Sequence, residues 1–307
     1  MKQTELTSIR AAFSETLIKL ASENPNLFVV SCDLKSSVSL DKFASKFRNR
    51  FVECGVAENN AAGISAGLSK SGKTVFLVTY ASFSPAINWA TIRQSICYNN
   101  LPVKIIGSHG GLATGELGAT HQMLEDISLM RALPNMEVFA PVDAAETEKI
   151  ITAVAHSRSP SYVRLVRPST PIVSKPNQSF TIGKSQILQT GTDITIAGFG
   201  PILHEALTIK KHSLEIINCS SIKPLDTKTI IGSVQKTKKI IVIEDHQKNG
   251  GLGEAIASTL ITNGVKCQFI HLGVDNQFGR SAKDYNELYD FYHIGKGDLI
   301  KAIKNLL

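Results

Sequence analysis

The stretch ECGVAENNAAGISAGL, residues 53–68, is made almost entirely of small and apolar residues after Glu58. Its part from Ala57 to Leu68 is typical of a helix with apolar surroundings, and Glu58 stands at the opening of that helix. Short apolar runs lie on both sides, at residues 27–32 and 74–78, and both are typical of buried strands. A strand, a helix and a strand in this order predict a unit of a parallel sheet.

The same alternation continues along the chain. In the first half, helices are predicted at 6–22, 57–68, 89–98, 123–131 and 144–156, and strands at 27–32, 74–78, 103–107, 137–140 and 162–165. In the second half, strands are predicted at 194–197, 213–217, 239–243 and 267–270, and helices at 253–262 and 296–307. Continuous β-branched runs between helices favour parallel sheets that are covered on both faces. The predicted fold class is α/β, with two doubly wound domains.

Residues 168–180 separate the two series of strands and helices. This stretch contains three prolines, is rich in Ser, Thr and Asn, and has no helical period. Such a composition is typical of a linker. We therefore expect a first domain at residues 1–170 and a second domain at residues 181–307.

The charge of the chain limits the classes of partner. The 33 Lys and Arg and the 26 Asp and Glu give a net charge of +7, but the basic residues are scattered. The densest basic run, residues 236–239, leads directly into an apolar strand and has no interleaved aromatic residues. A solvated helix end before a strand explains this run better than a nucleic-acid surface does. Small anions such as sugar phosphates suit the mild positive charge.

The cysteines favour a protein of a reducing compartment. They are five in number, widely spaced and without a CxxC pair: Cys32, Cys54, Cys97, Cys219 and Cys267. This pattern favours buried, reduced thiols over a disulfide framework or a metal cluster. The first residues form no apolar signal sequence, and no stretch approaches the ~18 apolar residues that would indicate a membrane span. We expect a cytoplasmic protein that ligates no metal ion itself.

Glu58 has two interpretations. A glutamate in the first turn of a helix commonly complements the positive end of the helix dipole. The small, apolar neighbours of Glu58 suggest instead a carboxyl group that is removed from water, which favours its protonated form. A protonated carboxyl can donate a hydrogen bond to a ring nitrogen.

A glycine-rich loop is the second candidate site. The sequence SHGGLATGELGATHQ, residues 108–122, follows a predicted strand and contains four glycines, with His109 and His121 near its two ends. In an open parallel sheet, the loops at the carboxyl ends of the strands are where ligands bind. A single loop histidine is usually structural, whereas two in one such loop indicate a site.

These segments together resemble the C-terminal half of transketolase, a family that depends on thiamine diphosphate. GVAENNAAGISAGL, residues 55–68, is similar to the pyrimidine-binding helix of the family, and residues 108–122 are similar to its substrate-channel loop. Glu244-Asp245-His246, with the glycine-rich residues 250–255, is similar to the C-terminal domain that transketolases share with 1-deoxyxylulose-phosphate synthases and 2-oxoacid dehydrogenase β subunits. The resemblance covers nearly the whole chain. It implies a pyrimidine-binding domain followed by a transketolase C-terminal domain.

The resemblance implies cofactor-binding residues. Glu58 would hydrogen-bond the aminopyrimidine of thiamine diphosphate, and the activated cofactor would serve as the electron sink of the reaction. Phe83 is the candidate for the aromatic ring on the pyrimidine face, with Tyr80 as the fallback, and a plain core phenylalanine is the other interpretation. Asp33 matches an acidic position near the cofactor, although it also suits an ordinary turn.

The resemblance also implies a partner. The family binds the diphosphate through Mg²⁺ with a Gly-Asp-Gly…Asn signature, which these 307 residues lack. An N-terminal transketolase subunit would supply that domain and its Mg²⁺. The expected assembly is an α2β2 heterotetramer in which this chain provides the central two-fold contact.

Five further positions match substrate-binding residues of the family. His109 and His121 match the two channel histidines and would contact sugar hydroxyls and the carbonyl-derived oxygen. Arg10, Ser37 and Arg167 match the positions that bind a terminal phosphate, and a guanidinium fork suits that group. For both arginines, a surface ion pair is the other interpretation.

Leu117 departs from the family pattern. The family usually has an aspartate there, which recognises a hydroxyl next to the reacting carbonyl and favours one stereochemistry. A leucine side chain cannot accept that hydrogen bond. The departure implies a loss of this discrimination or the use of a different sugar.

The leading hypothesis is transfer of a two-carbon ketol unit from a ketose phosphate to an aldose phosphate. A 2-oxoacid dehydrogenase E1 β-type subunit would share the pyrimidine-binding helix but should lack the loop with paired histidines. A 1-deoxyxylulose-phosphate synthase would be one long chain that includes the diphosphate domain. A non-catalytic or regulatory partner subunit of the same fold is the alternative from another class. The combination of Glu58, His109 and His121 argues against this last alternative.

Overall fold

The computed structural model describes residues 6–175 and 178–307, in which strands and helices alternate. The strands are β1 Leu6–Ser8, β2 Leu27–Ser31, β3 Phe51–Glu53, β4 Thr74–Tyr80, β5 Lys104–Ser108, β6 Glu137–Phe139, β7 Ser161–Arg164, β8 Ser169–Pro171, β9 Gln186–Gln189, β10 Ile194–Gly198, β11 Leu214–Asn218, β12 Ser221–Lys223, β13 Lys239–Gln247 and β14 Gln268–Val274. The α-helices are α1 Ile9–Glu23, α2 Asp41–Lys46, α3 Glu58–Lys70, α4 Trp89–Thr91, α5 Asp126–Arg131, α6 Ala144–His156, α7 Leu203–Leu207, α8 Thr227–Thr237, α9 Leu252–Thr262, α10 Tyr285–Phe291 and α11 Lys296–Leu306. Short 3-10 turns lie at Arg48–Arg50 and Leu112–Leu117, and a π-helical turn lies at Ile92–Cys97.

The larger sheet has seven strands in the order β12-β6-β7-β5-β4-β2-β3. All neighbouring strands in it are parallel except the edge strand β12, which runs antiparallel to β6. The central strands carry almost continuous apolar runs because helices cover both faces. Their carboxyl ends meet at one edge, so the segments that follow β2, β4, β5 and β7 are neighbours in space.

The second sheet has five strands in the order β14-β13-β10-β11-β9. Four of them are parallel, and β9 lies antiparallel at one edge. Two open sheets covered by helices confirm the predicted α/β fold class. The carboxyl end of β13 faces the first half of the chain, since the Gln247 N–H donates to the Leu124 carbonyl oxygen (2.8 Å).

Two strand pairings join parts of the chain that the sequence pattern separates. The strand β12 follows β11 of the second sheet but pairs with β6 of the first. The strand β8 lies inside the predicted linker and pairs with β1, which comes before the first helix. Each of these strands has three residues, too few to show a strand period. Two parts of the chain lie outside the described residues. They are Pro176 and Asn177 of the linker, and residues 1–5, which are part of the basis for expecting no signal sequence.

The helix α3 is positioned by its small side chains. Its buried face consists of Glu58 and of five small residues, Ala61, Ala62, Ser65, Ala66 and Ser69. These small residues let the helix pack closely against β4 and the π-helical turn. The first residue of the helix, Glu58, is thereby placed at the edge where the parallel strands end.

The basic run lies in the predicted environment, whereas only three of the five cysteines are buried as predicted. The basic run is a helix end before a strand, as predicted: α8 ends at Thr237, Lys238 has φ +60°, and β13 begins at Lys239. All five thiols are free, with Cys32, Cys97 and Cys219 buried and the other two half-buried. Burial raises the pKa of each of the three buried thiols to about 12.

In the described ranges, no helix has the length and apolar character needed to cross a bilayer.

Candidate active site

The candidate residues follow four neighbouring strands of the larger sheet. Asp33 comes after β2, Phe83 after β4, His109 after β5 and Arg167 after β7. These strands lie side by side in the order β7-β5-β4-β2, and Tyr80 at the end of β4 is in register with Ser108 at the end of β5. The structure therefore places these residues along one edge.

Four rings form an aromatic cluster at this edge. Tyr80 stacks on Phe83 with ring centroids 5.7 Å apart and an interplanar angle of 18°. The His109 ring lies 4.0 Å from the Tyr80 ring, and the His121 ring lies 5.5 Å from Phe83 and 6.1 Å from Tyr80. The loop 108–122 thus brings its two histidines to the same pair of aromatic side chains.

His109 is held firmly in this cluster. It has φ +57° and is buried, and its Nδ1 lies 2.9 Å from the Ser108 hydroxyl. The Thr114 hydroxyl donates to the His109 carbonyl oxygen (2.5 Å). Burial lowers the pKa of His109 to about 3, and the charges of Arg10, Arg167 and His121 act in the same direction. The imidazole is therefore a neutral group at ordinary pH.

The depressed pKa of His109 predicts an acid-sensitive stability. The ordinary pKa of a histidine in an unfolded chain is ~6.5, so the unfolded state binds more protons than the folded state below that pH. The free energy of unfolding should fall as pH drops from about 6.5 towards 3, and His109→Gln should reduce this fall. Urea unfolding of the wild type and of the His109→Gln variant at pH 5, 6 and 7.5 measures this pH dependence of the free energy of unfolding. An NMR titration in which the His109 ring protonates near pH 6.5 would contradict the prediction.

Two arginines reach the cluster from different elements. Arg10 in α1 donates from Nη1 to the Ser37 carbonyl oxygen (2.6 Å), so the predicted phosphate residues Arg10 and Ser37 are in contact. The pKa of Arg10 is lowered, first by burial and then by the charge of Arg167. Arg167 is half-exposed and pairs with Glu116 of the loop (2.9 Å). The structure therefore brings the positive charges of Arg10 and Arg167 close to each other. It also shows that Arg167 forms an ion pair, which was the other interpretation of this residue.

Among the described residues, Glu58 forms no hydrogen bond or ion pair with the aromatic cluster. The residue is 6% exposed, and its backbone carbonyl accepts a hydrogen bond from the buried side chain of Asn88 (3.0 Å). Within residues 6–175 and 178–307, its carboxylate has no hydrogen-bond or ion-pair partner. The carboxylate is therefore free to bond a ligand that reaches the start of α3. Its charge also contributes to the raised pKa of Cys32, which follows β2 directly.

Asp33 and Leu117 are both exposed. Asp33 has φ +57° in the turn after β2, and its N–H donates to Glu53 Oε1 (2.7 Å). Leu117 ends the 3-10 turn of the loop and is 38% exposed, next to Gly118 with φ +71°.

A buried charged cluster beneath the loop was not predicted. The Arg164 guanidinium lies 3.6 Å from the Asp126 carboxylate and 3.7 Å from the Asp245 carboxylate, and all three side chains are buried. Asp245 Oδ1 accepts the Leu112 N–H of the loop (2.8 Å). A signal existed in the sequence, because a charged Arg164 within the apolar run YVRLV requires a buried partner. The partners could not be named, since they lie far away along the chain.

Metal ligation by the chain itself was not expected. Among the described residues, no group of three or more His, Cys, Asp and Glu side chains is placed to hold a metal ion.

The chain belongs to the transketolase family. The model of the transketolase pyrimidine binding domain matches residues 6–172, and the model of the transketolase C-terminal domain matches residues 183–298. The first match contains the larger sheet except β12, together with the aromatic cluster, Glu58 and the loop 108–122. The second match contains the smaller sheet and β12.

More particularly, the chain is similar to proteins that correspond to the C-terminal section of a transketolase. It is 39% identical, over 96% of its length and 95% of the relative's, to a protein of Methanocaldococcus jannaschii with the provisional name of a transketolase C-terminal section. It is 35% identical to one of the subunits of the apulose-4-phosphate transketolase of Phocaeicola vulgatus, over 97% and 96% of the two chains. A solved structure described as a split-gene transketolase in an inactive β4 tetramer matches with a TM-score of 0.89 and 35% identity, over 99% of both chains.

Proposed function

We propose that this chain is the C-terminal subunit of a split, thiamine-diphosphate-dependent transketolase that transfers a two-carbon ketol unit between a ketose phosphate and an aldose phosphate. The observation that carries the proposal is the convergence of Arg10, Arg167 and the neutral His109 beside the rings of Tyr80 and Phe83. Positive charges next to polar ring nitrogens suit a sugar with a terminal phosphate.

The residues present fit thiamine diphosphate. The Glu58 carboxylate, which has no protein partner among the described residues, can bond a ring nitrogen of an aminopyrimidine. The flat pair of Tyr80 and Phe83 offers an aromatic surface for the same ring. When bound, the cofactor supplies the nucleophilic carbon and the electron sink for cleavage of the bond next to a ketose carbonyl. Glu58 would hold a proton at the pyrimidine, and Asp33 would lie at the rim towards the partner subunit.

The protein's own contribution is to orient the sugar and control protons. His109 and His121 would contact sugar hydroxyls and the carbonyl oxygen, and a neutral His109 can both donate and accept. Arg10, Ser37 and Arg167 would hold the terminal phosphate, with Arg167 exchanging Glu116 for the substrate. Leu117 offers no hydrogen bond to a hydroxyl, so the proposed enzyme lacks this stereochemical discrimination or uses a different sugar.

The proposal includes a partner subunit that binds the diphosphate through Mg²⁺. These 307 residues contain no Gly-Asp-Gly…Asn signature, and the similar chain from P. vulgatus is named as a subunit of its enzyme. We propose an α2β2 assembly in the reducing cytoplasm, which the free thiols favour. The division into domains at residues 1–170 and 181–307, with a linker at about 168–180, is part of the same proposal.

Reconstitution tests this function. The tagged chain should capture, from an extract of its own cells, a protein that contains the Gly-Asp-Gly…Asn signature. The pair should then transfer a ketol unit between phosphosugars only when thiamine diphosphate and Mg²⁺ are both supplied. Omission of each component in turn is the control. A captured pair that binds the cofactor but shows no ketol transfer with any ketose phosphate would contradict the proposal.

A further inference from the structure

We propose that Asp245, in the second sheet, is a positioning residue that fixes the shape of the loop 108–122 in the first half of the chain. The consequence for substrate affinity rests on the proposed function, whereas the effect on the loop itself does not. The C-terminal half thereby contributes to the candidate active site without reaching the substrate.

The contact between Asp245 and the loop is direct. Asp245 Oδ1 accepts the N–H of Leu112, the residue that begins the 3-10 turn of the loop, at 2.8 Å. The other carboxylate oxygen lies 3.4 Å from the Tyr289 hydroxyl of α10. One side chain of the second half therefore satisfies a buried backbone N–H of the first half, 133 positions away.

Arg164 fixes Asp245 in this position. Its Nη2 donates to the Asp245 carbonyl oxygen (2.6 Å), and its guanidinium also faces the carboxylates of Asp245 and Asp126. The Tyr162 hydroxyl donates to Asp126 Oδ2 (2.7 Å). Since a buried ion left without its partner is strongly unfavourable, the cluster has little freedom to rearrange.

The backbone of the loop lies directly on the charged pair. Gly111 has φ +77°, and a Cβ atom there would collide with the Arg164 guanidinium and the Asp245 carboxylate. The N–H of Gly110 donates to the Leu165 carbonyl oxygen (3.0 Å), which holds the preceding residue as well. The start of the loop is therefore shaped by the cluster beneath it.

The second half also contacts the far end of the loop. The Gln122 side-chain amide donates to the Arg280 carbonyl oxygen (2.9 Å) and to the Gly115 carbonyl oxygen (3.0 Å). A Cβ atom on Gly118, which has φ +71°, would meet the Ser281 hydroxyl. The segment between β14 and α10 thus contacts the C-terminal part of the loop, whereas Asp245 contacts its N-terminal part.

The position of Leu112 determines the position of the candidate substrate residues. Thr114, in the same turn, donates its hydroxyl to the His109 carbonyl oxygen, and its own carbonyl oxygen accepts a long hydrogen bond from Arg167 (3.4 Å). A turn that detaches from Asp245 would release both contacts. We therefore expect the loss of Asp245 to loosen His109 and Arg167 together.

Hydrogen exchange of the full chain tests this inference without any assay of activity. Asp245→Ala should raise amide exchange in residues 110–118 by about tenfold, the effect of losing one buried hydrogen bond. Asp245→Asn should raise it less, because the amide oxygen can still accept the Leu112 N–H. This conservative variant keeps the test valid if the alanine variant fails to fold.

Glu244 provides the matched control. It is the preceding residue of the same strand and equally buried, but it accepts the N–H groups of Leu252 (2.8 Å) and Gly253 (2.9 Å) at the start of α9. Glu244→Ala should raise exchange in residues 252–256 and leave residues 110–118 unchanged. Unchanged exchange of residues 110–118 in both Asp245 variants, or an equal rise in the Glu244 variant, would overturn the inference.

The kinetic part uses the reconstituted pair. Asp245→Asn should raise the KM for a phosphorylated sugar several-fold more than it lowers kcat, and Glu244→Gln should change neither. If the Asp245 variants show faster exchange in the loop but the wild-type pair shows no ketol transfer, the proposed function is overturned and the positioning role stands. An active wild-type pair whose loop exchange is insensitive to Asp245 would overturn the positioning role alone.

Discussion

Replacement of Glu58 by glutamine should lower kcat of the reconstituted enzyme by about 10²–10⁴-fold, the range that a positioned acid or base contributes. Glutamine keeps the size of the side chain, but its amide group can act neither as an acid nor as a base near neutral pH. The carboxylate has no protein partner in the described residues, so its replacement breaks no hydrogen bond of the fold. The measurement is steady-state turnover with partner, thiamine diphosphate and Mg²⁺ present.

The matched control addresses the helix-dipole interpretation of Glu58. Glu287 is an exposed glutamate in the first turn of α10, so Glu287→Gln removes only the interaction with the helix dipole. That interaction contributes ~0.3–1 kcal/mol to stability and nothing to turnover. If Glu58→Gln keeps full kcat and changes only the unfolding midpoint, as the control does, Glu58 is a helix-terminal carboxylate and the cofactor role is wrong.

The fold was largely predictable because its signals are local. The predicted helix at 144–156 coincides with α6, whose start is set by the Asp143 side chain accepting the Glu146 N–H (2.8 Å). The predicted helix at 123–131 begins only at Asp126, because Met123 forms a bridge with Gly110. The predicted helix at 89–98 is mostly a π-helical turn. These differences arise where tertiary contacts override local preference.

The location of the candidate site, at the carboxyl ends of the parallel strands, was predictable from the sequence. Residues that follow parallel strands must meet, and Phe83, His109 and Arg167 do so. Their pairings were not predictable from spacing. The contact of Leu112 with Asp245 spans 133 positions, and no local pattern encodes it. The ion pair of Arg167 with Glu116 likewise depends on how the loop folds back.

Removal of the two arginines should weaken binding of phosphorylated sugars and leave other sugars unaffected. A hydrogen bond to a charged group contributes ~1.5–3 kcal/mol, so Arg167→Ala should raise KM for a phosphorylated sugar by about 10–100-fold, with Arg10→Ala in the same range. Because both guanidinium groups would share one phosphate, the double variant should lose less than the product of the two effects. KM and kcat measured with a sugar and its phosphate ester give the comparison.

Two controls separate phosphate binding from a surface ion pair. Arg158 is exposed and precedes β7, at the opposite edge of the sheet from Arg167, so Arg158→Ala should change neither KM. Glu116→Gln removes the charge that pairs with Arg167 and leaves the hydrogen bond of Arg167 to the Thr114 carbonyl oxygen in place. It should leave KM for the phosphate ester unchanged or lower it. If Glu116→Gln instead reproduces the effect of Arg167→Ala, or if Arg167→Ala impairs both sugars equally, then Arg167 acts by holding the loop rather than by binding phosphate.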